Sequence, residues 1–409
     1  MSTVQKSAMK NFTCFGKKLK HLCSGSFSQL SHFCKTTIFP IFAFFKFIIH
    51  RLNSLALHLL YFISISFLGF FILKGLKPRN NINPGNLDLI FTSVSATTVS
   101  SMSTVEMEVF SNTQFIILTI LMFLGGEVFL SMVTLYLTKS KILKPWRNDN
   151  RVNSSCESLE LPPPNLANEI ETGDVIVRHD SHTSNHIISL ENRYLKYKST
   201  KLLGSIILFY LLFSHILGIS LVSIYMVVIP SVKDVLREKG ISLIIYPIFT
   251  IVSTFSNCGF LPTNESMVLF SKNSGLLWML IPQVLIGNTL YPSCLRALIW
   301  FVGKFYKKEE ANYLLKNSKK VGYFHLLPSK HSSFLVGTVF GFILIQFVLF
   351  SSMEWNSIAL SGLNFYQKIV GVLFQCVNAR FTGETIVDLA TIAPAMLVLF
   401  VTMMLVYYL

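Results

Sequence analysis

Acidic residues are the scarcest feature of this sequence. None occurs before Asp88, and Asp plus Glu total 20 of 409 residues against 35 Lys plus Arg. Charged residues of both signs make up only 13%, where a soluble domain carries roughly a quarter. That excludes an ordinary water-facing surface. Cysteine is sparse too: Cys14, Cys23, Cys34, Cys156, Cys258, Cys294 and Cys376 show no metal-ligand spacing. Four of them fall in basic segments assigned to the cytosol, so they are read as unpaired thiols. The basic N-terminus leads into no short apolar core with a small-residue cleavage site, which argues against a cleaved signal peptide. There is no phosphate loop, no H-E-x-x-H and no nucleophile motif.

What is abundant is apolar. Hydrophobic residues make up 52%, and 36 residues are Phe. Residues 54–73, 115–138, 203–230, 276–303, 333–352 and 391–409 are apolar runs with few or no charges. Each has about the 20 residues a helix needs to cross ~30 Å of hydrocarbon. The expectation is an all-α protein of at least six spans, in contact with the lipid bilayer. The net charge of +15 is concentrated beside these runs. Lys6 to Arg51 precede the first; Lys139, Lys141, Lys144, Arg147 and Arg151 follow the second; Lys304 to Lys330 follow the fourth. The positive-inside tendency then places the N-terminus and the loops 139–202 and 304–332 in the cytosol. Juxtamembrane position accounts for these basic clusters, so no nucleic-acid partner is expected.

The chain also repeats itself. FTSVSATTVSSM (91–102) matches FTIVSTFSNCGF (249–260) in register, with Phe-Thr-x-Val-Ser recurring and Ser101 opposite Gly259. Downstream, residues 112–129 lie over 273–290, with Gly126 opposite Gly287 as packing glycines, and a weaker third copy at 373–384 places Gly383 in the slot of Gly259. Each copy lies between two long spans. The intervening segments 86–99, 243–256 and 366–378 are too short and too rich in Ser, Thr and Asn to cross lipid exposed, so they are expected to be buried in protein or to line water. A half-helix that enters, turns at a small residue and leaves as extended chain presents backbone carbonyls to an ion.

SVSATTVSSMSTVEMEVFSN, STFSNCGFLPTNE, LIPQVLIGNTLYP and VNARFTGETIVDLAT resemble the plant HKT family of cation transporters, within the Trk/Ktr/HKT superfamily. The resemblance runs over residues 54–409. It implies M1–pore helix–M2 units around a central cation pathway, with one filter residue per unit: here Ser101, Gly259 and Gly383, flanked by Val99, Ser100, Asn257, Cys258, Phe381 and Thr382. Ser at the first place implies the sodium-selective subfamily; Phe381 stands where His is expected. The expected organisation is a cytosolic basic N-terminus (1–53), a first unit (54–138), a linker (139–202), a second unit (203–303), a linker (304–332) and a third unit (333–409). A fourth unit would complete the family pattern, and the chain stops at Leu409 inside the third unit's last span. The expectation is therefore three of four units.

Glu106, Glu265 and Glu384 follow the filter positions and are expected to be acidic groups at the outer mouth, raising the local cation concentration. Glu127, inside an apolar run, is either functional or a helix-to-helix hydrogen bonder. The reading is passive transport of sodium, with potassium as the alternative permeant ion, across the plasma membrane, without cofactor or resident metal; the superfamily implies a homodimer. Two alternatives stand beside it. One is a truncated, non-conducting or dominant-negative subunit. The other is a membrane-embedded enzyme, for which the spans hold no paired nucleophile and base.

Overall fold

The computed structural model describes residues 54–79, 84–136, 181–306 and 308–405. The basic N-terminus 1–53 and positions 139–180 of the expected first linker lie outside them. By internal contacts the chain divides into residues 1–64 and 65–409. Of the first part only the start of helix α1 (Ser54–Gly75) is described; the repeats belong to the second.

The regular structure among the described residues is helical, and one order of elements recurs. In the first repeat α1 is followed by the short α2 (Asn86–Thr97), a turn, a single 3-10 turn at Met107–Val109, and then α3 (Asn112–Gly125) and α4 (Glu127–Tyr136). The second runs α5 (Ser181–Val228), α6 (Pro230–Glu238), α7 (Ile245–Ser256), a 3-10 turn at Val268–Phe270, α8 (Ser274–Gly287) and α9 (Tyr291–Phe305). After α10 (Lys308–Lys316) and α11 (Ser318–Val321) comes the third: α12 (Ser329–Glu354), α13 (Phe365–Arg380), a 3-10 turn at Leu389–Thr391, and α14 (Pro394–Leu405).

α1, the Tyr194–Val228 part of α5, and α12 are long and apolar enough to cross a membrane. Two expected spans are not continuous. α3 and α4 meet at 56°, and α8 and α9 at 82°. The first break falls at Gly126 and the second at Asn288–Leu290, just before Pro292, which opens α9 without needing an N–H. The sixth expected span is described as far as Leu405, as a 12-residue helix. α5 begins at Ser181, so the expected boundary at 202/203 lies inside one helix.

The short helices explain the architecture. α2 and α7 have 12 residues and α13 has 16, giving lengths of about 18–24 Å, short of a ~30 Å hydrocarbon core. Their polar side chains are buried inside protein: Thr92, Ser93, Ser95 and Thr97 on α2, Thr250, Ser253 and Thr254 on α7, Gln375 and Asn378 on α13. Several are satisfied within the helix, as where Thr97 Oγ1 donates to Ser93 O (2.8 Å). Others tie elements together, as where Ser93 Oγ donates to Ser66 O of α1 (2.7 Å).

α3 packs against both α2 and α7, and α8 against both α7 and α13. α3 and α8 are thus each wedged between their own repeat's short helix and the next repeat's, which arranges the repeats side by side in chain order. The wedge needs glycine at its tightest points. A Cβ at Gly125 would lie 1.9 Å from the Thr97 carbonyl oxygen, and one at Gly287 would lie 2.0 Å from the Phe255 carbonyl oxygen. Thr97 and Phe255 are equivalent in the repeat. The structural counterpart of Gly287 is therefore Gly125, one residue before the Gly126 suggested by sequence alignment. Gly126 instead carries the helix break.

Candidate ion pathway

Each short helix ends in a turn closed by a backbone hydrogen bond between residues five apart, which falls one position later in the third repeat. Ser100 N donates to Ser95 O (3.0 Å), Cys258 N to Ser253 O (2.9 Å) and Gly383 N to Asn378 O (2.8 Å). Within these turns and just after them the backbone enters the left-handed region. Val99 and Ser101 have φ of 50° and 61°, their counterparts Asn257 and Gly259 have 59° and 80°, and Gly383 has 77°. Non-glycine residues adopt this conformation at a cost, and such strain concentrates at functional sites. Positive φ at Val99 and Ser101 is therefore informative about the first turn.

Of the three expected filter positions, Ser101 and Gly383 are exposed and Gly259 is half-buried. The turns converge on Gly259. A Cβ there would lie 1.9 Å from the Thr382 carbonyl oxygen and 3.1 Å from Ser101 Oγ. Residues of the first and third repeats thus close on the space that a side chain of the second would occupy. The same construction at Gly383 meets open space. Among the flanking residues, Ser100 is exposed, Val99, Asn257 and Phe381 are half-buried, and Cys258 and Thr382 are buried. The Cys258 sulfur faces the backbone of Phe260 and Ser101. Thr382 Oγ1 donates to Asn378 Oδ1, and the Arg380 guanidinium lies over the rings of Phe342 and Phe381.

The three mouth carboxylates divide. Glu106 and Glu265 are exposed, and they have different partners: a neutral amide for Glu106 and a lysine for Glu265. Glu106 Oε2 accepts from Asn264 Nδ2 (3.0 Å). Glu265 Oε1 is 2.7 Å from Lys239 Nζ, which also bonds Glu108 Oε1 at 2.9 Å. Arg79 Nη1 donates to the Lys239 carbonyl (2.9 Å). Hydrogen bonds to Glu108 and then Glu265 raise the Lys239 pKa above its usual value, and the bond from Lys239 lowers that of Glu265. Glu384 is not at the open mouth. Its side chain is buried, and Oε1 accepts from Thr254 Oγ1 (2.9 Å). The spacing that placed it next to Gly383 was right about sequence position and wrong about direction, because the residue after Gly383 turns back into the protein.

Glu127 opens α4, half exposed, with His325 Nε2 at 3.6 Å. Burial holds His325 down to about 4, so the pair is not an ion pair at neutral pH. Beside it, Tyr323 Oη bonds Ser131 Oγ (2.8 Å) and Tyr291 Oη (2.6 Å). Sequence reasoning missed Lys239, Glu108 and Thr254. Lys239 and Glu108 are 131 positions apart and Thr254 and Glu384 130 apart, so no local pattern could have paired them. The lone hint was Thr254 itself, a polar residue one helical turn before Cys258.

A family model described as TrkH, cation transport protein, matches residues 189–407. The chain is 47% identical over 333 residues to "Sodium transporter HKT1" of Arabidopsis thaliana, covering 81% of this chain and 63% of that protein. It is 41% identical over 390 residues to "Cation transporter HKT1;3" of Oryza sativa subsp. japonica, covering 95% and 72%. A "High-affinity potassium transport protein" of Saccharomyces cerevisiae is 27% identical over 215 residues, covering 51% and 17%. The chain thus spans 63% to 72% of the length of these two plant relatives.

Proposed function

The chain belongs to the TrkH family of cation transport proteins, and on that premise we propose that it carries sodium passively across the plasma membrane, through a filter formed by Ser101, Gly259 and Gly383. The observation that carries this reading is the convergence on Gly259 of the Ser101 hydroxyl and the Thr382 carbonyl, from the first and third repeats, at turns with positive φ. Oxygens brought together on irregular backbone between helices are what a dehydrated monovalent cation requires. Potassium sites use a ring of carbonyls. The Cβ and hydroxyl of Ser101 occupy space in one sector of such a ring, which disfavours the larger ion. The name of the Arabidopsis relative points to the same ion. The N-terminus is cytosolic in this proposal, by its Lys and Arg content.

The test is two-electrode current recording in oocytes expressing this chain, with external sodium and potassium exchanged. The expected result is a current whose reversal potential follows sodium and ignores potassium, with Ser101→Gly admitting potassium. Absence of sodium current from chain shown to be at the cell surface would overturn the proposal. A Ser101→Gly reversal potential identical to the parent's would overturn the filter assignment.

A further inference from the structure

The seam between the second and third repeats runs through the proposed filter, and a buried carboxyl crosses it next to the filter. Glu384 directly follows Gly383. Its backbone N–H donates to Thr382 Oγ1 (3.3 Å), so the carboxyl belongs to a residue tied to the one whose carbonyl abuts Gly259. Its side chain leaves the exposed face, is 1% exposed, and accepts at Oε1 the hydroxyl proton of Thr254 on α7 of the second repeat. Thr254 sits in the last turn of α7, five residues before Gly259. Fully buried Tyr246 and Cys258 lie within electrostatic reach of the same carboxyl. Just beyond, Met267 N donates to Thr385 O (3.0 Å) and Thr385 N to Ser266 Oγ (3.1 Å). The seam is therefore laced by successive bonds, with the Glu384–Thr254 bond next to the filter.

Burying a carboxyl is costly, here with Oε1 bonded to Thr254 and Oε2 without a partner among the described residues, and a charge meant to attract ions to the mouth would gain little from a fully buried site. We propose that Glu384 is a positioning residue: through Thr254 it sets the distance between the second and third filter segments, and so the ion selectivity, rather than drawing cations to the mouth. This role rests on Ser101, Gly259 and Gly383 being the filter. Displacing the third segment from Gly259 alters the size of the oxygen cage, and the ratio of potassium to sodium permeability reports that size where a merely structural bond would alter only the amount of protein.

The experiment measures reversal potentials in oocytes expressing the full chain, with surface labelling alongside. Thr254→Val, which keeps shape and removes the donor, is expected to raise the potassium-to-sodium permeability ratio several-fold at unchanged surface level. Thr254→Ser, which restores the hydroxyl, returns the ratio to the parent's. Glu384→Gln, which keeps an acceptor oxygen, stays near the parent. Glu384→Ala matches Thr254→Val, and the double variant goes no further; if Glu384→Ala fails to reach the surface, Thr254→Val carries the test. An unchanged ratio in Thr254→Val would overturn the inference. So would a Glu384→Gln that cuts current at low sodium while leaving the ratio alone, since that is the signature of a mouth charge. Ser101→Gly in the same experiment separates the two levels. If it admits potassium while Thr254→Val does nothing, the filter stands and the positioning role falls. If the parent passes no sodium current, both fall.

Discussion

The first and second repeats meet through half-buried and exposed polar groups, where Lys239 bridges Glu108 and Glu265 and Asn264 bonds Glu106. The second and third meet through buried bonds and a backbone approach too close for any side chain. Exposed ion pairs contribute ~0–1 kcal/mol and are screened beyond ~10 Å at 0.1 M salt. The first seam therefore depends mainly on its apolar cluster, in which Phe115 meets Phe249 edge-on at 5.2 Å between centroids. The second seam has no such slack. A change of one methyl at Gly259 has nowhere to go, whereas a lost charge at Lys239 leaves the packing beneath it intact. Within one repeated design, one junction is expected to tolerate substitution and the other not.

The largest expected effect comes from that contrast. Gly259→Ala would place a Cβ 1.9 Å from the Thr382 oxygen at φ of 80°. Left-handed strain of about 1–2 kcal/mol and overpacking of about 1–3 kcal/mol add there. Sodium current should be abolished and the melting temperature of purified protein lowered. Gly383→Ala has φ of 77° but open space around the Cβ, so only the strain, about 1–2 kcal/mol, is expected. Equal destabilisation of the two variants in a thermal melt would break the comparison.

Lys239→Met should be smaller still, at ~0–1 kcal/mol and vanishing in high salt, as read by melting at low and high ionic strength. It also carries a pH signature. Lys239 depresses the Glu265 pKa below the usual 4.5. The resulting stabilisation is present above that value and is lost as pH falls through the lower folded one. The parent should lose a small increment of stability below about 4.5 that Lys239→Met lacks; identical acid profiles would show that the bridge contributes nothing.

Much of the fold was legible because it is written in local composition. Short polar segments between long apolar runs can only be half-helices sheltered by protein, and α2, α7 and α13 are that. Small residues at 101, 259 and 383 accord with turns of positive φ, a property of the local backbone. The kinks after Gly125 and Gly287 were not legible, because apolar runs look alike whether straight or bent. The register was off by one at Gly126, since two adjacent glycines satisfy an alignment equally and only the approach of the Thr97 carbonyl distinguishes them.

The sequence by itself determined a helical membrane protein with a repeated order of elements and the turn residues within it, because hydropathy, periodicity and backbone permissiveness act over one or two helical turns. Tertiary structure alone decided that Glu384 points inward to Thr254, that Lys239 bridges Glu108 and Glu265, and that Gly259 is the crowded position of the three. Those facts depend on partners more than a hundred residues away along the chain, or as near as Lys239 and Glu265, 26 apart. Only the packed arrangement of repeats brings them within hydrogen-bonding distance.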